Sequence, residues 1–250
     1  MKIQLIRSAT MRITYNGHTF LTDPYLAEKF SRPTYSGKSQ NPTAELPFAI
    51  DEVLKSIEMV LVSHIHSDHF DPKAQEVLPK DWLLLCQPED EMKIKEKGFK
   101  NVNPVHTYKW NGITFRRTSG KHGSGKVLDQ MGPISGFVME APGEPTVYWA
   151  GDTILCEEVR DAIRSYKPDV IITHSCGAEW GDHVKILMDD VETVELCKMV
   201  PKSKVIAIHM DSVDHATITR TDLRSYAEKN SVSKEQLLIP ADGEVMEVGK

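Results

Sequence analysis

The chain opens on alternation. Apolar and polar positions alternate through Met1–Arg7, then through Met11–Thr14 and Thr19–Thr22, which flank Asn16-Gly17. A two-residue period marks strands with one buried face, and Asn-Gly between two such runs marks a tight hairpin. Residues 25–49 then lose any period and carry Pro33, Pro42 and Pro47. An irregular stretch this long is functional or mobile in a compact protein. As a lid it would bring aromatic walls from Tyr25, Phe30, Tyr35 and Phe48 and cationic contacts from Lys29, Arg32 and Lys38.

From about residue 50 the pattern alternates helix and strand. Glu58–Ser63 is a short apolar run, and Asp71-Pro72 is a helix start, with Asp as cap and Pro at the first helical position. Trp82–Cys86 reads as a strand and Pro88–Lys97 as a helix. Further β runs follow at Val102–Tyr108, Ile113–Thr118, Ile134–Glu140 and Thr146–Ala150. In the last hundred residues, strands at Val170–Thr173, Val205–Ile208 and Leu237–Ile239 alternate with helices at 155–166, 189–199 and 219–229. Each half is thus a β-rich portion followed by strand–helix units, which predicts a layered α/β architecture. No Pro/Gly/Ser linker divides the chain, so residues 1–250 are expected to form a single domain.

Composition narrows the class. The 250 residues are 40% hydrophobic and 26% charged, with a formal net charge of −6. That balance argues against a general nucleic-acid binder. No apolar run has the length of a membrane span, and the first residues hold no signal core. Cys86, Cys156, Cys176 and Cys197 form no CxxC pair and read as free thiols, which suggests a cytoplasmic protein.

The chemistry concentrates in His64-Ile65-His66-Ser67-Asp68-His69, which puts four potential metal ligands within six residues, after an apolar run and before a helix start. His64 and His66, two apart, share one direction as the strand ends, while Asp68 and His69 lie on the turn that follows and can face a second point. That arrangement suits two ions. Grouping four unpaired titratable side chains would be costly without a cation. His122, Asp152 and His209 each follow a β run, where the loops of an α/β protein converge on ligands. His174 also ends a strand, His215 lies on the loop after His209, and Lys121 adjoins His122, so these three are candidate substrate contacts. Gly120–Val127 nearly matches a phosphate-binding loop, but Val127 stands where Ser or Thr would hold magnesium, so a nucleotide hydrolase is a poor reading.

The cluster His64–His69, followed by His122, Ala150-Gly151-Asp152-Thr153 and His209, resembles the metallo-β-lactamase superfamily in order and spacing, and Leu21-Thr22-Asp23-Pro24 resembles its early aspartate motif. Ser63–Asp71, His209-Met210-Asp211 and Pro240-Ala241-Asp242-Gly243-Glu244 look closest to its ascorbate-6-phosphate-lactonase-like group. The resemblance implies a four-layer αββα sandwich with metals at one edge between the sheets. It implies that His64, His66 and His122 hold one divalent ion and Asp68, His69 and His209 a second, with Asp152 bridging. Asp23 would orient ligands without being one. Two ions are implied, and imidazole and carboxylate without thiolate suit zinc without excluding manganese or iron, so zinc is expected first and manganese second.

Such a centre would use a bridging hydroxide to cleave a lactone, ester or phosphoester of a small metabolite, expected to be anionic, with Asp68, Asp152 and His209 carrying the chemistry. The rival classes are a nuclease or RNA-processing hydrolase on the same fold, and a non-hydrolytic metal-binding or redox protein. The expected partner is a small-molecule substrate, with neither nucleic acid nor membrane, and with homo-oligomerisation left open.

Overall fold

The computed structural model describes residues 1–249. The first half runs β1 (Lys2–Arg7), β2 (Thr10–Tyr15), β3 (His18–Thr22), α1 (Ile50–Leu54), β4 (Met59–Leu61), α2 (Pro72–Val77), β5 (Leu83–Cys86), α3 (Glu91–Glu96) and β6 (Asn101–Pro104). The second runs β7 (Thr107–Trp110), β8 (Ile113–Thr118), α4 (Gly125–Met131), β9 (Gly136–Glu140), β10 (Val147–Trp149), α5 (Glu157–Tyr166) and β11 (Val170–His174). It continues through β12 (Glu179–Trp180), β13 (Val184–Lys185), α6 (Asp190–Met199), β14 (Lys204–Ile208), α7 (Arg220–Lys229), β15 (Leu237–Leu238) and β16 (Val245–Glu247). Two seven-stranded sheets result, ordered β16-β1-β2-β3-β4-β5-β6 and β15-β14-β11-β10-β9-β8-β7, with β12 and β13 a separate pair.

Strand parity sorts the buried side chains into three layers. Successive residues of a strand face opposite sides of the sheet. Met59 and Leu61 of β4 face inward, as do Val147 and Trp149 of β10, Val170 and Ile172 of β11, and Ile206 and Ile208 of β14; together they form the core between the sheets. Their neighbours face out. Val60 packs with Val53 of α1, Ala74 of α2 and Ile94 of α3. Tyr148, Ile171, Val205 and Ala207 pack with Val159 of α5, Val194 of α6 and Leu223 of α7. The result is the expected αββα sandwich. Helix starts follow local rules: Asp71 accepts from the N–H groups of Lys73 and Ala74, and Thr219 and Asp222 form a reciprocal capping box.

The structure departs from the sequence reading where the two halves meet. Val102–Tyr108 is not one strand. It is β6 and β7, which lie in different sheets, split at Pro104-Val105-His106. Pro104 has no N–H to continue a ladder, and Val105 turns into the core, where it is fully buried. Helix α4 follows the glycines of 120–125, where no helical period was visible. Residues 25–49 contain no regular element except an isolated bridge between Arg32 and Asn41. No helix among the described residues is long and apolar enough to cross a membrane.

Candidate metal centre

The two sheets present their strand ends at one rim, and the histidine cluster lies there. His64 and His66 follow β4, His122 follows β8, Asp152 follows β10, and His209 follows β14. Candidate ligand atoms of His64, His66 and His122 all lie within 4.8 Å of one another, as do those of His69, Asp152, His174 and His209. Asp152 joins the two groups. Its Oδ2 is 3.8 Å from His64 Nε2, 3.5 Å from His122 Nε2 and 3.0 Å from His69 Nε2, and its Oδ1 is 4.0 Å from His209 Nε2. Asp68 stands beside the second group, 3.9 Å from His69 Nε2 and 3.6 Å from His209 Nε2.

Outer partners aim these rings. His69 Nδ1 donates to Asp23 Oδ2 at 2.7 Å, and His122 Nδ1 donates to the Ile186 carbonyl at 2.9 Å. Ser63 Oγ gives its proton to Asp23 at 2.6 Å and so accepts from His64 Nδ1 at 3.0 Å. His209 Nδ1 lies 3.3 Å from Ser8 Oγ. In all four rings Nδ1 is engaged outward, which leaves Nε2 to face the others. Asp23 also accepts from the N–H of Ser63 at 2.7 Å, so one carboxylate fixes both the start of the histidine loop and the ring of His69.

The backbone is specialised here. Asp23, His209 and Ser8 have φ of 36°, 63° and 58°, in the left-handed region that side chains other than glycine rarely adopt. Gly151, just before Asp152, has φ of 69°, and a Cβ added there would lie 2.6 Å from the Ser135 carbonyl oxygen. Only glycine lets the chain turn tightly enough to deliver Asp152.

Electrostatics separate the members. Burial holds His64, His66, His122 and His209 below the ordinary histidine pKa, His209 down to about 3, so they are neutral donors of a lone pair. Burial would lower His69 as well, but the carboxylates of Asp152, Asp68 and Asp23 overcome it and hold its pKa well above the usual value. Burial opposes ionisation of Asp68 and Asp152, yet the surrounding histidines, and for Asp152 hydrogen bonds from His174 and His69, leave both below the carboxylate range. Buried neutral imidazole nitrogens converging on two carboxylates, with no thiolate, fit divalent cations.

A cavity of about 270 Å³ opens onto this cluster. His66, Asp68, His122 and Asp152 form its reactive side, and Tyr35, Met131, Trp180, Ile186 and His215 its other walls, with no Lys or Arg among its described lining residues. His215 therefore lines the cavity, and its ring meets Tyr35 edge-on at 5.0 Å. His174 does not. Parity puts it on the inner face of β11, fully buried behind Asp152. Lys121 does not either: its ammonium pairs with Glu158 at 3.3 Å on the surface. The causes differ: a strand-end position does not say which way the side chain of His174 turns, and adjoining His122 in sequence does not give Lys121 the same direction.

Residues 25–49 supply Tyr35 to the cavity wall, while Tyr25 is wholly buried and Phe30 exposed. Arg7 anchors the start of this segment from beneath, donating to the carbonyls of Tyr25 at 2.7 Å and Ala27 at 2.9 Å. Asp214 ties down residues 34–41, accepting from the N–H of Tyr35 at 2.9 Å and of Ser36 at 3.1 Å and from Asn41 Nδ2 at 2.8 Å. Tyr35 hydroxyl and Ser67 Oγ are 2.8 Å apart. Neither Arg7 nor Asp214 was singled out in the sequence, because each acts on a segment distant along the chain.

Comparisons with known proteins agree with this geometry. The chain is 36% identical to the UPF0173 protein YddR of Bacillus subtilis, over 98% of each chain. It superposes on the isothiocyanate hydrolase from Delia radicum gut bacteria with a TM-score of 0.93, at 33% identity over the full length of both chains. It superposes on a possible metal-dependent hydrolase from Veillonella parvula with a TM-score of 0.95, at 33% identity over 99% of each. A sequence profile described as the beta-lactamase superfamily domain matches residues 18–210. With its sandwich, its histidine cluster and these relatives, the chain belongs to the β-lactamase superfamily.

Proposed function

We propose that this protein is a metal-dependent hydrolase whose substrate is a small uncharged electrophile with an apolar substituent, an isothiocyanate above all. The observation that carries the reading is the cavity: carboxylates and imidazoles on one side, Tyr35, Met131, Trp180 and Ile186 on the other, and no cation among its described lining residues. Such walls favour an apolar group. They do not favour an anionic metabolite or a phosphorylated lactone, which would want a lysine or arginine beside the charge. The similarity to the isothiocyanate hydrolase from Delia radicum gut bacteria supports the same choice.

His64, His66 and His122 would hold one ion and Asp68, His69 and His209 another, with Asp152 between them, and zinc fits this donor set first, manganese second. Bound there, divalent ions make water a nucleophile at neutral pH and polarise the bond under attack. Hydrolysis of R–N=C=S needs one water. Its oxygen bonds to carbon and a proton passes to nitrogen, giving R–NH–C(O)SH, which loses carbonyl sulfide as the C–N bond breaks and the second proton reaches the amine. Asp68, held below the carboxylate range and on the cavity wall, would take the proton from the attacking water and return it to nitrogen. Tyr35, Trp180 and Met131 would exclude bulk water and hold the substituent.

The test is a panel of benzyl and alkyl isothiocyanates, lactones, carboxylic esters and phosphodiesters, assayed with protein whose metal content has been measured. Amine release from the isothiocyanates is expected. Metal-loaded protein that turns over phosphodiesters or lactones and leaves isothiocyanates intact would overturn the substrate reading.

A further inference from the structure

His174 belongs by position to one of the two candidate ligand groups, yet its hydrogen bonds give it another task. Its Nε2 accepts from the indole N–H of Trp149 at 2.9 Å, and its Nδ1 meets Asp152 Oδ1. Indole N–H is a donor only. It requires a lone pair on Nε2, so the ring's proton must be on Nδ1. From there it is donated to Oδ1. A ring in that state has no lone pair left for a cation.

Oδ1 of Asp152 is thereby occupied, whereas Oδ2 faces the Nε2 atoms of His64, His69 and His122. We propose that Trp149 and His174 form a fixed donor relay that engages one oxygen of Asp152 and turns the other toward the metal centre, making His174 a positioning residue and not a ligand. This rests on the metal-binding part of the function proposed above.

The fold makes the relay rigid. Trp149 ends β10 and His174 ends the parallel neighbour β11, with Trp149 in register with Ile172. Both side chains face inward and both are fully buried. A ring on β11 held between Trp149 at the end of β10 and Asp152 on the loop that follows β10 cannot turn to offer the other nitrogen without leaving a buried N–H unmatched. The arrangement sets the direction of a carboxylate before any ion arrives.

The experiment measures metal affinity by competition with a chromophoric chelator, using zinc and the full-length wild type, His174→Ala, His174→Asn and Trp149→Phe. Asparagine can place an N–H where Nδ1–H stood. His174→Ala is expected to weaken zinc binding roughly 10–100-fold, the range for loss of a ligand-orienting partner, and His174→Asn to restore most of it. Trp149→Phe, which keeps His174 but frees its tautomer, should weaken binding in the same direction, and it serves if His174→Ala does not fold. Nitrogen-15 NMR of the zinc-loaded wild type should show His174 protonated on Nδ1.

Wild-type affinity in folded His174→Ala or Trp149→Phe would overturn the proposal, as would a zinc-bound, unprotonated Nδ1. A wild type that binds no zinc or manganese would overturn the metal reading and this inference with it. Normal zinc affinity without turnover of any substrate would count only against the hydrolase reading.

Discussion

The carboxylate of Asp23 accepts the Nδ1 proton of His69 across 2.7 Å, although 46 residues separate the two along the chain. The same carboxylate takes the N–H and the hydroxyl proton of Ser63. One aspartate therefore sets the angle of a candidate ligand and the start of the loop that carries three others.

Asp23→Ala should leave three buried donors without an acceptor. Each unmatched buried group costs roughly 1–3 kcal/mol, and metal affinity should fall roughly 10–100-fold. Chelator competition and thermal melts of metal-free protein measure the two effects separately. Unchanged metal affinity would show that Asp23 only braces the loop.

Asp152→Ala should remove metal and turnover together, because its carboxylate lies within 4 Å of histidines from both ligand sets. Lys121→Ala should do neither, since Lys121 lies outside the cavity and pairs on the surface with Glu158. Its stability change should stay within about 0.5 kcal/mol. Elemental analysis and kcat/KM decide both. Retained metal stoichiometry in Asp152→Ala would rule out a bridging carboxylate.

Metal-free protein should lose stability as the pH falls below about 6.5, the ordinary histidine value. His64, His66, His122 and His209 are held below that value when folded, so the unfolded chain binds protons first. Each such group adds a slope of about 1.4 kcal/mol per pH unit while the unfolded form alone is protonated. For His209 this window reaches down to about pH 3. His69 acts oppositely, its raised pKa giving stability at low pH that is lost as the pH rises through that pKa. That window lies above pH 6.5, so His69 does not oppose the lowered histidines below it, and melting temperature should drop between pH 6.5 and 4. A flat profile in the presence of chelator would contradict the burial argument.

Asp214→Ala should free residues 34–41 while leaving the ligands untouched. The wall residue Tyr35 then loses its anchor, so KM for a substrate with a large apolar substituent should rise about tenfold, equivalent to about 1.4 kcal/mol. Metal content should not change. Limited proteolysis should cut within 34–41 in the variant before the wild type. A raised KM without new cleavage would point to a direct contact by Asp214 instead.

How much of this could be read from the chain depends on the length scale of each cause. The cluster His64–His69 was legible because its ligands are local, and the strands of the core were legible because parity repeats every two residues. Asp152 and His209 stood out only as strand-end residues in the order of a known family. The break between β6 and β7 was hidden inside what looks like one β run, because which sheet a strand joins is a tertiary decision. β16 was missed for a related reason: its three residues gain their stability from pairing with β1. The cavity walls come from Tyr35, Met131, Trp180 and Ile186, on separate segments with no shared period. The role of His174 depends on the register of β10 against β11, which its position in the sequence does not reveal.

The pairing of Lys2 with Glu247 joins the first and last strands among the described residues. During synthesis β1 would therefore wait, with one edge open, until Val245–Glu247 has left the ribosome. Contacts this distant in sequence slow folding and lengthen exposure to wrong partners. The ligands obey the same schedule, because His209 is made long after His64. A centre that draws on both sheets would thus be complete only in the finished sandwich, so a cation held by all of these residues would be cargo loaded at the end of folding and not the nucleus from which folding starts.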